Sequence, residues 1–306
     1  MSVSLQRRLI ALSIILIALP LALRSPSRAS DAAQPLPFQT IEGYGGGAIT
    51  PLAYLVNPAP VNGVFGEPAY AISVVGLGSK NLDALTVSET LYGRLELSAG
   101  ADRLGLGDLP SAIRTATGVD IGHSDVWLYN LNARYLLIQE SKDIPAVTFG
   151  AHFKSNNDIE DINSKLGGAL SNIGLVSGNG LDLTLTGTKA FSNVGGHTLI
   201  ATAGLRDSKA ADLGFLGFGD SYKLSFEGSV IYLPAGNVLV AYEIRQKTSP
   251  FGQIPGLIGS EDSWNAFDVS YILNNHATLV AGYGIFGTLA NTQANNAWWV
   301  QIKNDF

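Results

Sequence analysis

The 306-residue chain carries 19 Lys and Arg against 25 Asp and Glu, a formal charge of −6, with only 14% charged residues, where a soluble domain has about 25%. That acidic balance argues against a nucleic-acid partner, because the phosphate backbone demands a basic face. The absence of cysteine removes disulfide and thiolate–metal frameworks, and nothing in the chain calls for a cofactor.

At the start of the chain, Arg7 and Arg8 precede an apolar run from Leu9 to Leu23, and a small-residue site follows at Ser27-Arg28-Ala29. A charged region, an apolar region and a small-residue cleavage point predict a secretory signal peptide over residues 1–29. The alternative, an uncleaved anchor helix, needs about 20 apolar residues, and this run is shorter and flanked by arginine. Cleavage before Ser30 takes away Arg7, Arg8, Arg24 and Arg28 and no acid, so the net charge moves from −6 to −10. No later run reaches helical spanning length.

Residues 30–67 hold Pro35, Pro37, Pro51, Pro58 and Pro60, with Gly43, Gly45, Gly46 and Gly47 among them. Dense proline opposes a central strand. The segment is expected either to extend into the periplasm or to fold into a lumen as a plug, and Ala48-Ile49-Thr50 offers one further short strand. Gly43-Tyr44-Gly45-Gly46-Gly47 lacks the Lys-Ser/Thr of a phosphate loop and follows no strand.

From residue 68 onward the dominant pattern is alternation. Leu95, Leu97, Ala99 and Ala101 oppose Arg94, Glu96, Ser98, Gly100 and Asp102. Val147, Phe149, Ala151 and Phe153 oppose Thr148, Gly150, His152 and Lys154. Twelve strands are predicted near 68–77, 83–91, 94–104, 123–139, 145–155, 178–190, 197–207, 220–233, 236–249, 261–273, 277–287 and 295–306. A lipid-facing wall and a water-facing lumen produce this pattern repeatedly, so the expected fold is all-β: a closed antiparallel up-and-down transmembrane barrel over residues 68–306. Two outer loops are expected to carry short helices. One lies within Asp158 to Leu175, weakened by Gly167-Gly168, and the other within Leu109 to Gly118.

Connections alternate in length, with the brief 78–82 loop as the exception on the long side. Tyr92-Gly93, Pro234-Ala235 and Asn274–His276 are short, whereas 105–122, 156–177 and 250–260 are long. Outer-membrane barrels have short periplasmic turns and longer outside loops. The orientation is anchored by Phe306, which ends the alternating run Trp298, Val300, Ile302, Asn304, Phe306. This run resembles the closing strand of bacterial outer-membrane barrels, whose terminal aromatic is read by the barrel-assembly machinery; Asn304 departs from the usual apolar residue. Tyr92, Tyr135, Phe191, Tyr232, Tyr271 and Phe306 are expected in a periplasmic aromatic girdle, with Trp127, Tyr222, Trp264 and Trp298 in an outer one.

On the assumed strand faces, Arg94, Glu96, Asp102, Arg134, Lys154, Asp182, Lys223, Glu227, Glu243, Arg245, Lys247, Asp268 and Lys303 point into the lumen. Both signs are mixed, as in the constriction of a channel or in an ion-pair network that stitches a filled barrel. His123, His152, His197 and His276 are isolated, with no metal-ligand spacing among them. His152 and Ser155 resemble the His-x-Ser pair of outer-membrane lipid hydrolases. They are three apart rather than two, which puts them on opposite strand faces.

Gly45-Gly46-Gly47-Ala48-Ile49-Thr50-Pro51, Leu91-Tyr92-Gly93-Arg94-Leu95-Glu96-Leu97-Ser98, Leu106-Gly107-Asp108-Leu109 and Leu213-Gly214-Phe215-Leu216-Gly217-Phe218-Gly219-Asp220-Ser221-Tyr222 resemble an uncharacterised proteobacterial domain-of-unknown-function family of exported barrel-like proteins. The resemblance covers about residues 42–306 and implies architecture without an activity. The resulting expectation is a non-enzymatic outer-membrane barrel that passes or takes up small solutes through a mixed-charge lumen. Its partners are outer-membrane lipid, the assembly machinery and a small-molecule solute. The rivals are a non-conducting structural or adhesion barrel and a lipid-modifying enzyme.

Overall fold

A computed structural model of the chain describes residues 38–306. The signal peptide expected at residues 1–29, and its cleavage, lie outside the described residues. Eleven strands follow one another as β1 (Ala69–Leu77), β2 (Lys80–Leu91), β3 (Leu95–Gly105), β4 (Asp125–Ile138), β5 (Ala146–Ser155), β6 (Asn179–Val194), β7 (His197–Ala210), β8 (Phe218–Ala235), β9 (Val238–Arg245), β10 (Trp264–Asn274) and β11 (Ala277–Ile285). A small hairpin of β12 (Thr288–Leu289) and β13 (Thr292–Gln293) precedes the last strand, β14 (Ala297–Asp305).

β1 to β11 and β14 form one closed barrel in which every stave pairs antiparallel with its chain neighbour. It closes where β14 meets β1, from Ala69 opposite Asp305 to Gly76 opposite Trp298. The predicted twelve-stranded barrel is therefore the fold. Ala48-Ile49-Thr50 adds no stave, since residues 39–51 make only the isolated bridges Gln39 to Gly45 and Gly46 to Pro51.

The two faces of the wall are inverted relative to a soluble barrel. Ile72, Val74, Leu131, Phe149, Val230, Val269, Val300 and Ile302 are exposed on the outside, while Ser73, Asn130, Thr148, Thr184, Ser270 and Gln301 are buried inside. An apolar belt running around the whole circumference far exceeds the few hundred Å² that a water-soluble monomer leaves bare, and hydrocarbon is the solvent that fits it. Among the described residues no helix is long and apolar enough to cross a membrane. Trp264 corrects the expected outer girdle. It is buried and points inward, its ring centroid 4.7 Å from that of Phe286.

The loops at the long-loop end carry α1 (Leu109–Thr117), α2 (Asp158–Lys165) and α3 (Ala169–Ile173). α1 begins after Asp108 with Pro110 in its first turn and stops at left-handed Gly118, whose N–H bonds the Arg114 carbonyl at 2.8 Å. Its Leu109 and Ile113, four apart, are both buried, each contributing about 1.5–3 kcal/mol. In α2, Asp158, Glu160 and Asp161 occupy the first turn and Lys165 the last, matching the helix dipole. Ile159 and Ile162 belong to the apolar cluster at this end of the barrel.

Candidate functional site: the occupied lumen

Residues 38–57 run inside the barrel, nearly all of them fully buried. They form a tight loop closed by Thr40 N–H to Tyr44 O at 2.8 Å and Gly47 N–H to Thr50 O at 2.9 Å. The run of glycines has a steric cause. A Cβ on Gly47 would lie 2.2 Å from Glu243 Oε2, and Gly43 combines a φ of +102° with a would-be Cβ 3.0 Å from the Ala99 carbonyl. Only glycine lets the loop's backbone approach the wall this closely.

Three groups of wall side chains hold the segment. Toward the short-turn end, Arg134 makes a two-pronged pair with Glu96, Nε to Oε1 at 2.9 Å and Nη2 to Oε2 at 2.8 Å. The same two side chains bond four backbone groups of the segment: Glu96 accepts from Gly45 N–H at 3.1 Å and Val56 N–H at 2.7 Å, and Arg134 donates to Leu52 O at 2.6 Å and Tyr54 O at 3.0 Å. On another wall, Glu243 accepts from the N–H groups of Ala48 at 2.7 Å, Ile49 at 3.3 Å and Thr50 at 2.8 Å, and from the Thr50 hydroxyl at 2.5 Å. Consecutive amides converging on one carboxylate form an anion nest.

The third group lies at mid-lumen around Glu42. Its carboxylate lies 2.5 Å from Lys154 Nζ, 2.5 Å from Arg245 Nη1 and 3.8 Å from Arg206 Nη2. Asp182 takes Lys154 at 2.8 Å and Arg206 at 3.3 Å, and Glu227 takes Arg206 at 3.0 Å. Three cations thus face three carboxylates, the neutral arrangement that buried charges require. The Tyr44 hydroxyl donates to Glu42 Oε2 at 2.6 Å and accepts from Arg206 Nη2 at 2.7 Å, linking loop to wall a second time.

Of the residues expected in the lumen, Glu96, Asp102, Arg134, Lys154, Asp182, Glu227, Glu243, Arg245, Asp268 and Lys303 are buried on the inner face. Rather than lining a free path, most of them grip residues 38–57 or one another. Lys303 pairs with Asp305, which also accepts from Asn57 Nδ2 at 2.6 Å. Two placements need correcting. Arg94 is exposed, because it sits in the turn before β3 rather than on the stave. Lys223 has the inward parity of Ser225 and Glu227, yet it stands exposed near the outer rim and donates to Ser249 O at 2.7 Å. Lys247 lies just beyond the end of β9 with its side chain almost free of solvent, pairing with Glu261 at 2.7 Å and lying over the inward-pointing Trp264 ring.

Sequence reasoning missed Glu42, Tyr44 and Arg206. Arg206 was within reach, since it shares the stripe of Thr202, but Ile200 blurs that stripe. Glu42 and Tyr44 sit in an aperiodic segment whose partners lie far along the chain.

The lumen is also covered from the opposite end. Residues 211–217 dip inward on left-handed Asp212 and Leu213, at φ 44° and 63°. The Leu213 carbonyl accepts from Lys154 Nζ at 3.1 Å, while those of Gly214 and Phe215 accept from Asn156 Nδ2 at 3.3 and 2.8 Å. His152 is sealed below this cover, its Nδ1 2.9 Å from Asn132 Oδ1 and its Nε2 2.9 Å from Thr184 Oγ1. Ser155 falls on the other face of β5, so the two share no proton path.

Among solved structures, the chain resembles the KdgM porin at 11% identity and a TM-score of 0.48, covering 78% of this chain and 99% of that one. It resembles the NanC porin at 12% and 0.46, covering 78% and 98%. It also resembles an outer membrane channel from Pseudomonas putida F1 at 11% and 0.43, covering 84% and 100%. These likenesses are weak, and the fold rests on the strand pairing itself. A comparison with curated proteins returns no match. A family described as "Protein of unknown function (DUF3034)" matches residues 37–303, from the edge of the lumen segment into the closing strand, and the chain belongs to that family.

Proposed function

We propose that this chain is a bacterial outer-membrane barrel that admits small polar solutes when residues 38–57 leave its lumen. The observation that carries the reading is the chemistry of the grip. Glu96, Arg134, Glu243, Lys154 and Arg245 hold the segment through charges and backbone hydrogen bonds. A barrel built to stay filled gains little from this, because well-packed apolar residues in place of a buried ion pair are often as stable or more so. If the segment withdraws, water replaces each of its contacts and the wall left behind is a hydrophilic, mixed-charge conduit. The apolar exterior supports the outer membrane as its site, as does the gathering of the long loops at one end, where only the β1–β2 turn is short. Phe306, whose N–H bonds Pro68 O at 3.0 Å beside the closing seam, is the residue we assign to the assembly machinery.

A non-conducting scaffold is the second reading, favoured by the cover that residues 211–217 add from the opposite end. Planar-bilayer recordings separate the two. The expected result is a near-silent intact protein and frequent, larger current steps after deletion of residues 38–57. Silence from the folded deletion variant, with and without glycine at Leu213 and Phe215, would sink the conduit and leave the scaffold.

A further inference from the structure

The long-loop end of the barrel holds a partly open cavity of about 130 Å³ beyond the inward-dipping 211–217 segment. Its wall includes Leu109 and Ile113 of α1, Ile159 and Ile162 of α2, and Phe215 and Leu216 of the dipping loop. We propose that this chamber binds a small apolar molecule the size of a single aromatic ring or a short branched hydrocarbon.

Three observations carry the proposal. The first is size and lining together: an apolar cavity of roughly 150 Å³ stays dry and takes up benzene or xenon. The second is the absence of anything to hold water. The one hydroxyl on the wall, Thr117 Oγ1, is turned back to donate to the Ile113 carbonyl at 2.8 Å. A buried water needs two to four polar partners, and the walls named above are hydrocarbon. Left empty, the chamber forfeits dispersion contacts on every side. An apolar occupant restores them.

The third observation is a way in. Leu257 lines both this chamber and a cleft on the outside of the loops between α1 and residues 255–257. It sits in a turn closed by Ile258 N–H to Ile254 O at 2.8 Å, next to left-handed Gly256. This half-buried leucine on a short surface turn therefore borders both the cavity and a solvent-facing cleft. A second, smaller hollow of about 30 Å³ adjoins it behind Leu106 and Leu109 and reaches Trp264.

The inference is independent of conduction, because a barrel whose lumen never opens keeps the chamber. Crystals of the detergent-purified full chain are soaked with bromobenzene, and the bromine is located by anomalous scattering. A peak inside the chamber is expected. Bromine found only on the lipid-facing wall, or nowhere, overturns the proposal. In solution, the ¹⁹F line of fluorobenzene is expected to broaden more with protein-loaded nanodiscs than with empty ones. The excess should vanish for Ala169→Phe, which fills the chamber from its wall. Equal broadening by the unaltered protein and a folded Ala169→Phe, or by empty nanodiscs, means simple partition into lipid and also overturns it. Leu166→Phe fills the same space should Ala169→Phe fail to fold.

Discussion

Glu96 ties a wall ion pair directly to the backbone of the lumen segment. Its two oxygens hold Arg134, Gly45 N–H and Val56 N–H at once, in a setting almost without solvent. Glu96→Ala leaves a buried guanidinium with no carboxylate and two amides without acceptors, which costs about 3–5 kcal/mol. Glu96→Gln keeps an acceptor and the shape, and should cost clearly less. Urea unfolding in lipid vesicles measures both, and equal midpoints for the two variants would contradict the assignment. Asp212 behaves differently, because its environment favours the neutral acid. Burial pushes its pKa up to about 7, the neighbouring Glu261 carboxylate adds to this, and Lys247 and Lys80 oppose it. The folded protein then holds the proton over a range, about pH 4 to 7, where the unfolded chain has lost it, so this group's contribution falls as pH rises through that window and is flat above it. Asp212→Asn keeps an oxygen to accept from Ala290 N–H, which Asp212 Oδ2 now meets at 3.0 Å. The stability of Asp212→Asn relative to the unaltered protein should therefore climb between about pH 4 and 7 and level off above. A difference that stays level, or falls, removes the raised pKa from the account.

At the scale of elements, the staves were readable because a strand in a membrane wall writes a period of two into its own sequence. β5 is the clearest case, with Phe149 and Phe153 exposed and Thr148, His152 and Lys154 buried. The helices were readable as well, from the spacing of Leu109 and Ile113 and of Ile159 and Ile162, and from Gly118 and Gly167-Gly168 at their ends. The lumen segment was not. It has no period, and its partners are distant: Gly45 meets Glu96 across 51 residues and Ala48 meets Glu243 across 195. Proline and glycine content announced an irregular segment without announcing where it goes. The same non-local fit makes the segment sensitive to single substitutions. Gly47→Val places a branched side chain where Glu243 Oε2 already stands 2.2 Å from a Cβ. Because the chain has no cysteine of its own, Ala53→Cys is a clean reporter of whether the segment is seated. It should resist maleimide in otherwise unaltered protein and react readily once Gly47→Val is added, while the barrel keeps its heat-dependent gel mobility. Unchanged labelling would mean that the close approach at Gly47 does not hold the loop.

For the whole molecule, the decisive property is the exchange of inside and outside: a polar, ion-paired interior within an apolar shell. That exchange reverses an ordinary rule about surface substitutions. In a water-soluble protein, replacing an exposed valine with arginine usually changes stability by no more than about 0.5 kcal/mol. Val300 is about 44% exposed and central in β14, opposite Val74 of β1 and Ala281 of β11. In a lipid bilayer, arginine at such a midplane position costs about 2–4 kcal/mol, falling toward zero near the interfaces. Val300→Arg should therefore lower stability by that amount in vesicles. Arginine placed at Tyr222, exposed near the outer end of β8, should cost far less. Both positions are exposed, so depth dominates the contrast, although arginine at Tyr222 also loses the ring that Lys209 Nζ covers at 4.7 Å. The contrast distinguishes a barrel bathed in lipid from one bathed in water. Equal, small effects at the two positions would return the molecule to the soluble class. A steep cost at Val300 with little at Tyr222 fixes both the solvent of the outer wall and the plane about which the barrel is centred.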